Sequence, residues 1–238
     1  MVDVSFIVPA LNEENYIERC LKSIKNQKTT LDFEIILSDG NSTDRTLRLA
    51  EKYVDRVVTS RKKGIALGRN AGAEFAKGDT LIFIDADTQI PPHYANVIHA
   101  VLSNERISGV SCAFCFDCSD KICNFFAKLS NDYYLLKGFN SNATILGYNA
   151  CVRRSTFRKV KGFPNKPLED RAFGYKLEKL GKVLYLPEPV VVTSARRLLR
   201  EGPLSSMNYY AGLQAGTENV IPHTIKDIFK SREYKPIR

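Results

Sequence analysis

Asp85-Ala86-Asp87 follows directly on the apolar run Leu81-Ile82-Phe83-Ile84. A stiff, buried strand of that kind can hold two carboxylates at fixed positions beyond the carboxyl end of a sheet. Two acids one residue apart gather a hard divalent cation, and such a cation gathers phosphate oxygens. Asp is also common in solvated turns after strands, so the triplet needs support from its neighbours. A second polar run, Ser38-Asp39-Gly40-Asn41-Ser42-Thr43-Asp44-Arg45-Thr46, follows the apolar stretch that ends at Leu37. An acid there can accept hydrogen bonds from a base N–H or from ribose hydroxyls, while Asp44 also suits a helix cap. No G-x-G-x-x-G follows the first strand and no G-x-x-x-x-G-K-[ST] occurs, which argues against dinucleotide oxidoreduction and P-loop phosphoryl transfer.

These positions need a scaffold, and the apolar pattern predicts one. Val4 to Pro9 reads as a first strand, and Asn12 is placed to cap a helix through Glu13, Glu14, Ile17, Leu21 and Ile24. Phe33–Leu37, Arg56–Thr59 and Leu81–Ile84 read as further strands, with helices over Asp44–Tyr53 and Gly64–Ala76 between them. This alternation predicts an α/β fold with a mainly parallel, doubly wound sheet. Pro91-Pro92 opens a helix that runs through Leu102, and Val110–Phe116 reads as a strand. Ile122, Phe125, Phe126, Leu129, Tyr133 and Leu136 mark an aromatic-rich helix. A strand over Ile145–Val152, a helix over Glu169–Leu180 and strands over Val183–Leu186 and Val190–Thr193 follow. The last forty residues read as partly helical with a basic end. A single domain is expected, with residues 1–90 as one half, 91–200 as the other and 201–238 as a tail.

Composition narrows the classes. The chain has 238 residues, enough for one large core, and its 44% hydrophobic and 26% charged content is ordinary for a globular protein. Its apolar runs are strand-length and its N-terminus lacks a basic n-region, so neither a membrane span nor a signal peptide is expected. A cytoplasmic location follows as an expectation. The net charge of +9 is concentrated in residues 151–200, which hold 13 Lys/Arg against 4 Asp/Glu. Such a surface suits phosphates, or simply solubility. Cys112, Cys115, Cys118 and Cys123 are spaced C-x2-C-x2-C-x4-C, which raises metal or cluster binding. The strand pattern around Cys112 and Cys115 favours buried thiols instead.

The order Ile7-Val8-Pro9-Ala10-Leu11-Asn12-Glu13, then Glu34 through Asp44, resembles the inverting family 2 glycosyltransferases of GT-A fold. Gly68-Arg69-Asn70-Ala71-Gly72, Gly78-Asp79 and Asp85-Ala86-Asp87 continue the resemblance, as do Arg153-Arg154-Ser155-Thr156-Phe157, Gly162-Phe163-Pro164 and Leu168-Glu169-Asp170. Thr193-Ser194-Ala195-Arg196-Arg197 is similar to a small soluble subgroup. The resemblance implies a nucleoside-diphosphate sugar donor, such as a UDP- or GDP-sugar, bound by the N-terminal half. It implies that Pro9, Ala10, Asn12 and Glu13 line the nucleotide pocket and that Asp39 reads the base. Arg69 or Asn70 would approach the ribose or diphosphate. Asp85, with Ala86 beside it, would sit near ribose and sugar, and Asp85 and Asp87 would hold Mg²⁺ or Mn²⁺. Glu169-Asp170 occupies the position of the inverting base, with Asp170 favoured. Many relatives add a metal-ligating His after the base, whereas here the only later His is His223, and Arg196 and Arg197 stand nearer that place. They could pair with the diphosphate in a forked geometry.

The acceptor is less legible. The basic 151–200 stretch and the aromatic helix would suit a polyprenyl phosphate at the inner face of a membrane. A helix packed into the core explains the same aromatic residues, and is the expectation here. Two other classes compete. A nucleotidyltransferase shares the layout but carries a Gly-rich basic loop where this chain has Pro9-Ala10-Leu11-Asn12-Glu13-Glu14. A nonenzymatic sugar-nucleotide binder would share the pocket without turnover. No nucleic-acid-binding motif is present, so no nucleic-acid partner is expected.

Overall fold

The structure is a computed structural model and describes residues 2–60, 64–139 and 145–202. The tail expected over 201–238, with His223, therefore lies outside the described residues from position 203 onward.

Four strands and three helices set the first half. Strand β1 (Val4–Ala10) pairs in parallel with β2 (Phe33–Asp39) on one side and β4 (Thr80–Ile84) on the other, and β2 pairs with β3 (Arg56–Thr59). The crossovers are α1 (Ile17–Lys25), α2 (Thr46–Ala50) and α3 (Ile65–Glu74). Strand side chains alternate faces, and this divides the core. Val4, Phe6, Val8, Ile82 and Ile84 pack with Ile17, Leu21 and Ile24 of α1 on one face. Ile7, Leu81 and Phe83 pack with Ala66 and Ala73 of α3 on the other. Gly72 lets α3 approach β1 closely, since a Cβ there would stand 2.6 Å from Ile7 Cγ2.

The second half is mixed. Strand β5 (Thr88–Gln89) is followed by α4 (Tyr94–Leu102), β6 (Ile107–Phe116), α5 (Lys121–Phe139), β7 (Asn149–Arg153), α6 (Arg154–Lys159), α7 (Glu169–Glu178), β8 (Lys182–Thr193) and α8 (Arg196–Glu201). The eight strands form one sheet in the order β3-β2-β1-β4-β7-β6-β8-β5. Pairs β4–β7, β6–β7 and β5–β8 run antiparallel, while β6–β8 is parallel. The expected parallel sheet is thus the N-terminal part of a larger mixed one.

Several local expectations are corrected. Asn12 is not a helix cap: α1 starts at Ile17, and Asn12 sits at φ 55° within the preceding loop. The strands expected at 183–186 and 190–193 are one strand, β8. The strand expected from Ile145 begins at Asn149, and α6 went unforeseen. The four spaced cysteines do not gather. Cys118 and Cys123 form a disulfide with Cα atoms 6.2 Å apart, against the expectation of thiols throughout, and Cys112 is buried elsewhere. The largest correction concerns α5. Ile122, Phe125, Leu129, Tyr133 and Leu136 are exposed, Leu136 by 65%, instead of packed in the core. No helix among the described residues is long and apolar enough to cross a membrane.

Candidate active site

The loops after β1 and β2 are laced together. Asn12 takes the Thr43 N–H on its Oδ1 at 2.8 Å and donates its own N–H to Ser42 Oγ at 2.9 Å. Its left-handed backbone, which Asn tolerates, is what turns both groups toward that loop. Asp39, buried at the end of β2, accepts from the N–H of Asn41 and Ser42 and from Ser42 Oγ at 2.6 Å. Asp44 receives the N–H groups of Glu14 and Thr46, and Glu13 N–H donates to Thr46 Oγ1. Pro9 and Ala10 end β1 beside this frame, with the Ala10 carbonyl accepting from Gly40 N–H at 2.8 Å.

Asp85 and Asp87 lie where β4 hands over to β5. Pairing of β5 with β8, Thr88 opposite Thr193, carries the chain after β8 back to this point, and the two threonine hydroxyls meet at 3.0 Å. Arg196 is thereby set against Asp87. Its guanidinium forms a fork with Glu13, both contacts 2.7 Å, and reaches Asp87 Oδ2 at 3.0 Å while lying over the Tyr16 ring. The offset is incomplete. Burial, followed by the Asp85 charge, pushes Asp87 up to about 7, although Arg196 pulls the other way. Burial also raises Glu13 despite Arg196. Four carboxylates, of Glu13, Asp85, Asp87 and Glu169, meet only the two guanidiniums of Arg69 and Arg196, and the negative charge left over suits a hard divalent cation. Among the described residues no group of three His, Cys, Asp or Glu stands ready to enclose one. Asp85 and Asp87 could hold such a cation only with ligands from outside these side chains.

Arg69 joins the two ends of the site. Its side chain is 3% exposed, with Nη2 2.9 Å from Asp85 Oδ1 and Nη1 2.8 Å from Glu169 Oε1. Phe163 lies under the guanidinium, whose Nε has no hydrogen-bond partner. Gly147 allows this placement, because a Cβ there would come within 2.5 Å of Nη2. Asp85 and Glu169, 84 positions apart in sequence, therefore share one guanidinium. Glu169 is paired with Arg69, whereas Asp170 beside it stands outside that ion pair. It accepts the Arg171 N–H at 2.7 Å, and burial, then the Glu169 charge, raises its pKa against the pull of Arg69.

Both residues expected near the ribose or diphosphate have partners inside the protein. The Asn70 amide donates to and accepts from the Phe163 backbone at 2.8 and 2.9 Å. Arg69 is turned into the fold, as its tie to Asp85 and Glu169 requires. Ala86, between the acids, is buried in the core. Sequence reading missed Tyr16, Gly147 and the Arg69–Glu169 tie; each depends on contacts between distant positions, and no local spacing announces them.

The eight-stranded mixed sheet thus carries an acid pair beyond β4, linked through Arg69 to the acid-headed helix α7. Residues 5–161 match the profile of Glycosyl transferase family 2, and the chain belongs to that family. EpsH of Bacillus subtilis (strain 168) is 27% identical over 205 residues, covering 79% of this chain and 59% of EpsH. Dolichol-phosphate mannosyltransferase of Pyrococcus furiosus is 35% identical over 111 residues, 44% of this chain and 32% of that protein. The chain thus spans about three-fifths or less of these relatives. In fold, it resembles the mannosyltransferase PcManGT of Pyrobaculum calidifontis, solved with GDP-Man and Mn²⁺. That likeness has a TM-score of 0.67 at 23% identity and covers 96% of this chain and 68% of that one. S. aureus TarS 1-349 with UDP-GlcNAc gives a TM-score of 0.66 at 20% identity over 81% of this chain and 58% of that one.

Proposed function

We propose that the chain is an inverting glycosyltransferase that moves a sugar from a nucleoside-diphosphate sugar to a hydroxyl or phosphate acceptor. The observation that carries this reading is the Arg69 bridge, which ties Asp85, on the proposed donor side, to Glu169, beside the proposed base. The loops headed by Pro9, Ala10, Asn12, Glu13 and Asp39 form the nucleotide pocket. Asp85 and Asp87 hold Mg²⁺ or Mn²⁺, which when bound offsets the charge that builds on the departing diphosphate. Asp170 takes the proton of an attacking hydroxyl on the face of the sugar opposite the leaving group. Arg196 and Arg197 supply positive charge toward the diphosphate. Related sugar transferases solved with GDP-Man, UDP-GlcNAc and Mn²⁺ support the donor class and the cation.

Thermal stabilisation by UDP-, GDP- and dTDP-sugars, with and without Mn²⁺, tests this reading, because a ligand that binds only the native form raises its stability. A cation-dependent shift with one donor, lost in Asp87→Ala, is expected; no shift with any donor counts against it. Product analysis separates the rivals. A glycosyltransferase releases nucleoside diphosphate, a nucleotidyltransferase pyrophosphate, and a sensor neither.

For the acceptor, the exposure of Phe125, Leu129 and Leu136 on α5 favours a lipid phosphate at a membrane surface. Lys121, Lys128 and Lys137 on the same helix suit anionic headgroups. Sedimentation with anionic liposomes at low salt is the test, and a chain that stays in the supernatant rejects this acceptor.

A further inference from the structure

Arg196 is bound in a way that a diphosphate-binding arginine does not need. Its fork is filled by Glu13, and the same Nη2 that meets Glu13 Oε1 at 2.7 Å also reaches Asp87 Oδ2 at 3.0 Å. The Tyr16 ring lies 4.8 Å from its Cζ, which fixes the plane of the guanidinium. The backbone behind it is anchored. Ala195 N–H donates to Asp117 Oδ1 at 2.8 Å, and Ala195 and Leu198 pack on Cys123 at the start of α5. The arginine can therefore change partners by side-chain movement while α8 stays in place.

We propose that Arg196 is an internal counter-ion that competes with the divalent cation for Asp87 and is released toward the donor's diphosphate when the cation binds. The proposal rests on the reading of Asp87 as a cation ligand. A cation on Asp87 Oδ2, at the roughly 2 Å typical of Mg²⁺, would stand within about 5 Å of the guanidinium that shares that oxygen. Like charges repel at that distance, so one of the two must leave the carboxylate. Only the arginine has a second anchor, Glu13, on which to swing. By linkage, Arg196 then weakens cation binding by the factor by which the cation loosens Arg196. The freed guanidinium has the planar, forked donors that suit a phosphate. Cation and donor would thus load in order: the cation displaces the arginine, and the arginine secures the nucleotide.

The test is Mn²⁺ binding to nucleotide-free protein at pH 8, read from the paramagnetic resonance of free Mn²⁺. Arg196→Gln should bind Mn²⁺ about tenfold more tightly than the unaltered chain. At saturating Mn²⁺ it should bind UDP or GDP about tenfold more weakly. Arg200→Gln removes an equal charge from the exposed end of the same short helix and should leave Mn²⁺ affinity within twofold. Should Arg196→Gln not fold, Arg196→Lys gives the same comparison with a smaller gain, since an ammonium lacks the fork. Equal or weaker Mn²⁺ binding by the Arg196 variants overturns the proposal and leaves the cation reading standing, as does an equal gain in Arg200→Gln. Absence of Mn²⁺ binding in every form overturns both.

Discussion

At the scale of single residues, two carboxylates carry opposite expectations for pH. The base role proposed for Asp170 requires its ionised form, and its pKa is raised, chiefly by burial. With a hydroxyl acceptor, the acidic limb of kcat/KM should therefore lie above the ordinary aspartate range near 3.9. Asp170→Asn should cost roughly 10²–10⁴ in kcat while donor affinity persists. A phosphate acceptor is already ionised near neutral pH and needs no base, so a small Asp170→Asn effect would identify that acceptor class. Asp87 affects stability. Its carboxyl is pushed up to about 7 in the cation-free chain, so the folded form holds a proton that the unfolded form releases. The resulting cost is absent below about pH 4, grows as pH rises towards 7 and is constant above. Asp87→Asn should therefore raise the melting temperature of cation-free protein at pH 8, a gain on the order of a few kcal/mol, and the gain should fade by pH 4. Unchanged melting at pH 8 would contradict it.

At the scale of elements, the site depends on close approaches between segments that are far apart in the chain. Gly147, just before β7, leaves room for the Arg69 guanidinium, which Asp85 and Glu169 hold from either side. Gly147→Ala cannot be relieved by swinging Arg69 without breaking an ion pair inside the fold. Overpacking of this kind costs about 1–3 kcal/mol, and misplacing the acids by an ångström can cost roughly a hundredfold in rate. Chemical denaturation and kcat measured together should show both losses; native kcat with native stability would contradict the bridge. The short β5–β8 pairing has a similar role, since it sets the end of β8 beside the strand that follows Asp87. Element positions in the first half were legible because β1, β2 and β4 are apolar and alternate with helices. α5 was misread for a related reason: apolar spacing marks a helical face, but it cannot say whether that face meets protein or solvent.

At the scale of the whole molecule, the charge excess in residues 151–200 and the apolar stripe on α5 support one polar-headed, apolar-tailed acceptor. If that is correct, liposome binding should fall as salt rises and fall further in Phe125→Ser with Leu136→Ser, while donor-induced stabilisation is unchanged. Equal binding by the double variant would mean that α5 is not the contact.

What the sequence determined by itself was the type and order of the parts: buried strands ending in acids, the polar turn after β2, and the Glu169-Asp170 pair at a helix start. Those features are local, arising from hydrophobic periodicity and turn chemistry within a few residues. Only the tertiary structure decided which acids share a cation. Arg69 goes to Asp85 and Glu169, and Arg196 to Glu13 and Asp87. It also paired Asn70 with the Phe163 backbone and opened one face of α5. Ion pairs across a hundred residues depend on strand order and on which side chains are buried, and neither is written in the spacing of neighbours.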